Sequence, residues 1–220
     1  MGARKHLQKS KWYHGTTLSG WKEICMKRIQ VNHNIGNELD FGYGFYLTPK
    51  EQQAKDFIQD LLAYTGGESV LQGLPFLVKD NPEDKVAVVV EFEFTPLDWF
   101  YDDHINTMVL NSYDDEFADF VFFNRTENIY GEHQHDYKAI FGVMSDSKPN
   151  IVLSRFKNGE IGKDEVIESF KKTTSNKQLS IHTQDFCDIL VPSKAYIIET
   201  GEELDVNEYS YGKKQVDVER

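Results

Sequence analysis

Cysteine is scarce: Cys25 and Cys187 are the only two in 220 residues. That is too few, and too widely spaced, for a disulfide framework or a zinc ribbon. Both fall on apolar faces of expected helices and read as inert core thiols, which fits a reducing compartment. Long hydrophobic runs are also missing. None approaches the roughly 20 residues that span a bilayer, and the first residues lack the apolar stretch of a signal peptide. The expectation is a cytoplasmic protein without a membrane partner, or one delivered into another cell. Positive charge is in deficit, with 24 Lys and Arg against 36 Asp and Glu and a net charge of −12. Non-specific attraction to nucleic acid or anionic lipid is disfavoured by that balance. One basic run, Arg4, Lys5, Lys9 and Lys11, stands out near the N-terminus and reads as a solvated tail. There is no internal repeat and no low-complexity tract.

Aromatic residues are plentiful: 15 Phe, 11 Tyr and 3 Trp are enough to fill a sizeable core. The chain reads as one domain over 1–220. Its core spans about 12–200, with the basic N-terminal segment and the charged tail after about 203 peripheral. Strands are expected at 12–16, 45–48, 86–94, 137–143, 178–182 and 195–200. The strongest is "KVAVVVEFEF", an apolar run that turns into alternation. Helices are expected after Thr17, from Thr48-Pro49 to about Tyr64, over "NSYDDEFADFVFFNR", over "IGKDEVIESFKK" and over "QDFCDIL". In the second, Thr48 caps, Pro49 opens the helix, and Ala54, Phe57, Ile58, Leu61 and Leu62 share a face. In the third, Phe117, Phe120, Val121 and Phe123 are the expected buried positions. Residues 65–85 read as a peripheral excursion, and "NHNIGNELD" either as a loop over a cleft or as a connector. Strands and helices without a strict alternating rhythm give an α+β class with a split, largely antiparallel sheet.

Short polar motifs punctuate these elements: Tyr13-His14-Gly15-Thr16, then Asp40-Phe41-Gly42-Tyr43-Gly44-Phe45-Tyr46-Leu47-Thr48. Further on come Asp119-Phe120-Val121 with Asn124-Arg125, His135-Asp136-Tyr137 with Gly142, and Gln178 with His182-Thr183. In this order and spacing the sequence resembles the ADP-ribosyltransferase superfamily, in the His-Tyr-Glu branch of diphtheria toxin and the poly(ADP-ribose) polymerases. It looks closest to a family of uncharacterised bacterial domains assigned to that superfamily. The resemblance implies an ADP-ribosyltransferase-like fold that binds NAD as substrate and cleaves the nicotinamide–ribose bond through an oxocarbenium-like transition state. His14 would then hold a ribose hydroxyl, and the Gly15 backbone, with Thr16 beside it, would meet the nicotinamide carboxamide. Tyr46 would stack on the ring. Phe57 would supply the opposite wall, and Ala54 stands where relatives carry a hydroxyl.

The sequence departs from that pattern at the acidic third position, where Gln178 is the best match. On a strand, Gln178, Ser180 and His182 share one face while Leu179 and Ile181 face the core. An amide can position a ribose 2′-hydroxyl but cannot take its proton. The expectation is therefore transfer of a single ADP-ribose, with catalytic residues His14, Tyr46 and Gln178, and no polymer. The acceptor would be an unidentified protein or nucleic acid, and an antitoxin or immunity protein would be a natural partner of a toxin or effector of this kind. A non-catalytic NAD or ADP-ribose binding module, an NAD glycohydrolase and an interaction protein are the alternatives. No metal is expected; His133, His135 and Asp136 have ligand chemistry but read as a surface turn.

Overall fold

The computed structural model describes residues 2–64, 81–145, 149–172 and 175–209. The excursion read from the sequence at 65–85 thus lies mostly outside the described residues, as does the tail beyond 209. Among the described residues eight strands form two four-stranded sheets. Sheet I has the order β1 (Lys11–Thr17), β3 (Ala87–Glu93), β7 (Pro192–Ile197), β8 (Glu203–Leu204), antiparallel throughout. Sheet II has the order β2 (Phe45–Leu47), β6 (Lys177–Ile181), β5 (Ala139–Val143), β4 (Thr107–Leu110). Only its β4–β5 pair is parallel. The fold is therefore α+β with two mostly antiparallel sheets.

Among the described residues one isolated backbone bridge joins the sheets. Tyr13 and Thr48 exchange both backbone hydrogen bonds, at 2.9 and 2.8 Å. Beyond that bridge β1 pairs with β3 and β2 pairs with β6, so the strands fork. The wedge between the sheets is filled by Trp12, Val88, Val90 and Phe92 from one side, and by Phe45, Leu47, Phe141, Leu179 and Ile181 from the other. All are buried, each contributing about 1.5–3 kcal/mol by leaving water. A second core lies on the far face of sheet II. There Phe41 and Ile140 meet α4 (Asp115–Thr126), α5 (Pro149–Lys157) and α6 (Lys163–Phe170).

The helices depart from the sequence reading in instructive places. The first, α1 (Arg4–Leu7), gives the expected tail a fold: Arg4 and Lys5 are exposed, but Leu7 is inserted into the inter-sheet core and anchors the run. Helix α2 (Leu18–Lys27) is capped by the Thr17 hydroxyl, which accepts the Gly20 N–H at 3.1 Å. Helix α3 (Glu51–Tyr64) opens two residues later than expected, because the Thr48 hydroxyl takes the N–H of Lys50 instead. Its apolar face is narrower too: Ala54 and Ile58 are buried, but Phe57 is 47% exposed. On α4 the buried phenylalanines are Phe117 and Phe122, with Phe123 only partly covered, so the stripe is turned by one residue. Strand β4 and helix α5 were absent from the sequence reading.

At the other end, residues 203–209 are no frayed tail. Strand β8 pairs with β7, and the Tyr209 ring is fully buried after the short helix α7 (Gln184–Asp188) has been passed. Tyr209 donates its O–H to Leu190 O at 2.8 Å and lies under the Arg28 guanidinium at 3.4 Å. Cys25 and Cys187 are both buried free thiols, and burial pushes each up to about 12. Among the described residues no helix is long and apolar enough to cross a membrane.

Candidate functional site

The fork sets the geometry around His14 and Gly15. Tyr13 spends its N–H and C=O on Thr48, so by the two-residue alternation of a strand Gly15 aims its own N–H and C=O at the same edge. At Gly15 the neighbouring strand β2 has already diverged. Helix α3 crosses here so closely that a Cβ on Gly15 would strike the carbonyl oxygen of Ala54 and lie 3.2 Å from the Ile58 Cβ. The absence of a side chain therefore serves helix packing. The peptide edge that faces the fork is a separate consequence of strand register.

His14 is held by two contacts. Its Nδ1 lies 2.8 Å from Tyr46 O, and a carbonyl can only accept, so Nδ1 carries the proton and Nε2 is left as an acceptor. Its ring packs on Phe45 with centroids 4.5 Å apart. Burial lowers its pKa to about 4; the Tyr46 carbonyl opposes this and His33, from the loop before β2, adds to it. The imidazole is neutral at physiological pH. Thr16 is half-buried, its hydroxyl filling the space beside Gly20.

Tyr46 meets His14 through its backbone and not through its ring. On β2 the side chains alternate, so Phe45 turns toward His14 and Tyr46 turns to the far face of sheet II. There its O–H donates to Gly42 O at 2.7 Å and accepts the Phe41 N–H at 3.1 Å. Burial raises its pKa, with Asp40 adding to the effect. Phe57 lies one turn beyond Gln53 on α3. The Gln53 amide clamps the Lys177 peptide at the head of β6, donating to its O at 2.9 Å and accepting its N–H at 3.3 Å. The Phe57 flank of the helix therefore turns toward sheet II, across the fork.

Gln178, Ser180 and His182 do share a face, but it is buried, at 7%, 0% and 5% exposed. Gln178 Nε2 donates to Asp40 Oδ2 at 2.8 Å and to Val143 O at 3.2 Å. Asp40 is the hub of this layer. It also accepts from Arg125 Nε at 2.7 Å, the Ser145 O–H at 2.6 Å and the Ser145 N–H at 2.9 Å. Burial alone would raise its pKa, but the Arg125 charge and these bonds outweigh that and hold the carboxyl below its usual range. Arg125 reaches on to Glu38 O at 2.6 Å, tying the segment before β2 to α4. Nearby, Ser180 donates to His182 Nε2 at 2.7 Å while His182 Nδ1 donates to Tyr43 O at 2.7 Å. His135 packs edge-on to His182 at 4.4 Å and bonds Phe41 O at 2.9 Å, so it belongs to the interior and not to a surface turn. Burial lowers both imidazoles, His182 to about 3, with His135 a further cause. Among the described residues no group of three or more His, Cys, Asp or Glu could hold a metal ion.

The sequence motifs thus separate into two sets. Tyr13 to Thr16 and the Tyr46 backbone line the fork. Asp40, Arg125, His135, Gln178 and His182 build a polar layer behind β2 that pins the 30–44 segment. Asp40 and Arg125 stand in the sequence motifs without an evident role. A lone acid and a lone base inside otherwise aromatic blocks were the signal that they pair.

What these features define is an α+β domain with a forked pair of sheets and a neutral, oriented histidine beside an open peptide edge. A family model described as "Protein of unknown function (DUF3990)" matches residues 11–191, and the chain belongs to that family. No curated protein and no solved structure matches it.

Proposed function

We propose that this chain is an NAD-dependent mono-ADP-ribosyltransferase with an ADP-ribosyltransferase-like fold, taking NAD into the fork between the sheets. The observation that carries this reading is the His14–Gly15 step. The imidazole is locked as its Nδ1–H tautomer with Nε2 able to accept a ribose hydroxyl. The adjacent peptide offers one donor and one acceptor to a carboxamide, and the exposed Phe57 ring on the fork side of α3 suits a flat heterocycle. Tyr46 enters as a positioning residue, because its carbonyl fixes the His14 tautomer while its own hydroxyl is occupied.

The C–N bond to nicotinamide breaks, with the electron pair leaving on nicotinamide. A lone pair of the acceptor then closes on the ribose carbon, and its proton passes to water. Gln178 is bound to Asp40 and supplies no base, so the residues that remain act by position and electrostatics. An acceptor that is already nucleophilic satisfies that chemistry, whereas elongation through sugar hydroxyls does not.

Nicotinamide release from NAD by the purified chain, with and without cell lysate, tests the proposal. Release that depends on lysate and falls about 10²-fold in His14→Ala supports transfer. Release without acceptor makes the chain a glycohydrolase. A second reading is favoured by the engagement of Gln178 with Asp40: an NAD-binding module without turnover, recognised by NAD affinity with no nicotinamide released. Absence of both binding and release overturns the NAD reading altogether.

A further inference from the structure

Part of the basic run near the N-terminus, though solvent-exposed, is gathered with two lysines from distant segments. Lys5, His6 and Lys9 come from α1 and its link to β1, Lys50 from the turn into α3, and Lys177 from the head of β6. Lys9 Nζ donates to Pro49 O at 2.7 Å and Lys50 Nζ to Ser175 O at 3.3 Å, while the Gln53 amide clamps the Lys177 peptide. His6 lies in their midst, stacked on Phe141 with centroids 5.9 Å apart, and its Nδ1 is buried without a hydrogen-bond partner.

The surrounding charge makes this cluster unusual. Among the described residues nine other lysines pair with a carboxylate, as expected where acids outnumber bases by 36 to 24. Within that set Lys9, Lys50 and Lys177 are in no ion pair; Lys9 and Lys50 donate instead to the neutral carbonyls of Pro49 and Ser175, which leave the positive field uncancelled. Lysines surround His6 electrostatically: after burial, Lys177, Lys9, Lys50 and Lys5 all lower its pKa. Burial and Lys50 likewise lower Lys177. Convergent like charges cost free energy unless something of opposite sign meets them. The positive end of the 14-residue helix α3 lies at Lys50 and adds to the field.

We propose that the Lys9, Lys50 and Lys177 cluster around His6 is a binding site for a phosphate or diphosphate group. Lysine ammoniums are compact charges with three N–H donors each, suited to a multiply charged oxyanion that several of them surround. Lys9 lies before the start of β1, and that start at Lys11 is itself about 13 Å along the strand from Gly15, four residues at strand spacing. The site does not depend on the chain cleaving NAD.

The test uses the full chain and inorganic pyrophosphate, with sodium chloride at equal ionic strength as control. Pyrophosphate at about five times its Kd should raise Tm by roughly 2–4 °C. It should also raise the His6 pKa, followed by ring NMR, by about half a unit or more, because a dianion reverses the sign of the local field. Both effects should vanish in Lys50→Gln/Lys177→Gln and persist in Lys22→Gln/Lys27→Gln on α2. An ADP arm identifies the source: binding about tenfold tighter than pyrophosphate points to a nucleotide, equal or weaker binding to the free anion. A His6 titration that pyrophosphate leaves unmoved relative to chloride overturns the proposal, and so does an equal shift in the Lys50→Gln/Lys177→Gln chain. Should that variant fail to fold, the His6 titration of the native chain decides alone.

Discussion

Gly15 and Gln178 show how single positions are fixed by what surrounds them. At Gly15 a methyl group would meet the backbone of α3, which cannot swing aside as a flexible side chain could. Gly15→Ala should therefore lower stability by about 1–3 kcal/mol or more, read from the denaturant midpoint. An unchanged midpoint would mean that α3 does not press on β1. At Gln178 the obvious repair, Gln178→Glu, would restore the acid that the ADP-ribosyltransferase pattern expects. Here it would set a second carboxylate against Asp40, where the amide now donates at 2.8 Å. Two buried carboxylates cannot both ionise at that separation. The variant should be less stable than wild type and no more active, with one carboxyl titrating well above its usual range. Gain of NAD turnover at unchanged stability would contradict the geometry.

Among elements, the Asp40–Arg125 pair joins the 30–44 segment to α4 inside the protein, at 3% and 8% exposed. Arg125→Leu leaves the Asp40 charge buried with only Ser145 and Gln178 to hold it, and should cost about 3–5 kcal/mol. Because the segment leads directly into β2, the same change should raise hydrogen exchange at Phe45 to Leu47 before it does so in β3. A uniform rise across both sheets would argue against such local coupling. At the C-terminal end, Tyr209→Ala removes a ring that closes the core beneath Arg28, together with its bond to Leu190. A loss of about 3 kcal/mol or more is expected in thermal or urea unfolding. A neutral result would return residues 203–209 to the status of a tail, as composition alone suggested.

For the whole molecule, three imidazoles, one fully and two partly buried, set a stability gradient with pH. His14, His135 and His182 all have folded pKa values below the ordinary 6.5, His14 at about 4 and His182 at about 3. The unfolded chain takes up these protons first, so their contribution is complete above about pH 6.5 and is lost progressively as pH falls toward the folded values. Each adds up to about 1 kcal/mol per pH unit in that window. Urea unfolding at pH 7.5 and pH 5.0 should show a clear drop in midpoint with little change in slope, and His182→Gln should flatten it. A midpoint that does not move between those two values would mean that the imidazoles are hydrated.

Hydrophobic periodicity and turn chemistry are local, and they determined the class and most elements: β1, β3, β5, β6 and the bodies of α2, α3, α4 and α6 follow from patterns a few residues long. The one-residue turn of the α4 stripe shows their limit, since Phe122 and Phe123 are equally apolar and only the facing helices choose between them. The His14–Gly15 step was also legible, as a residue pair out of place in a plain strand. Tertiary structure decided what each polar residue does, because that depends on partners about 30 to 140 positions away. Strand alternation correctly put Gln178, Ser180 and His182 on one face, but whether that face meets solvent or a second core is set by α4 and the segment from Asp40. The N-terminal lysines read as a tail for the same reason: Lys50 and Lys177, which make them a cluster, are brought beside them only when the two sheets meet.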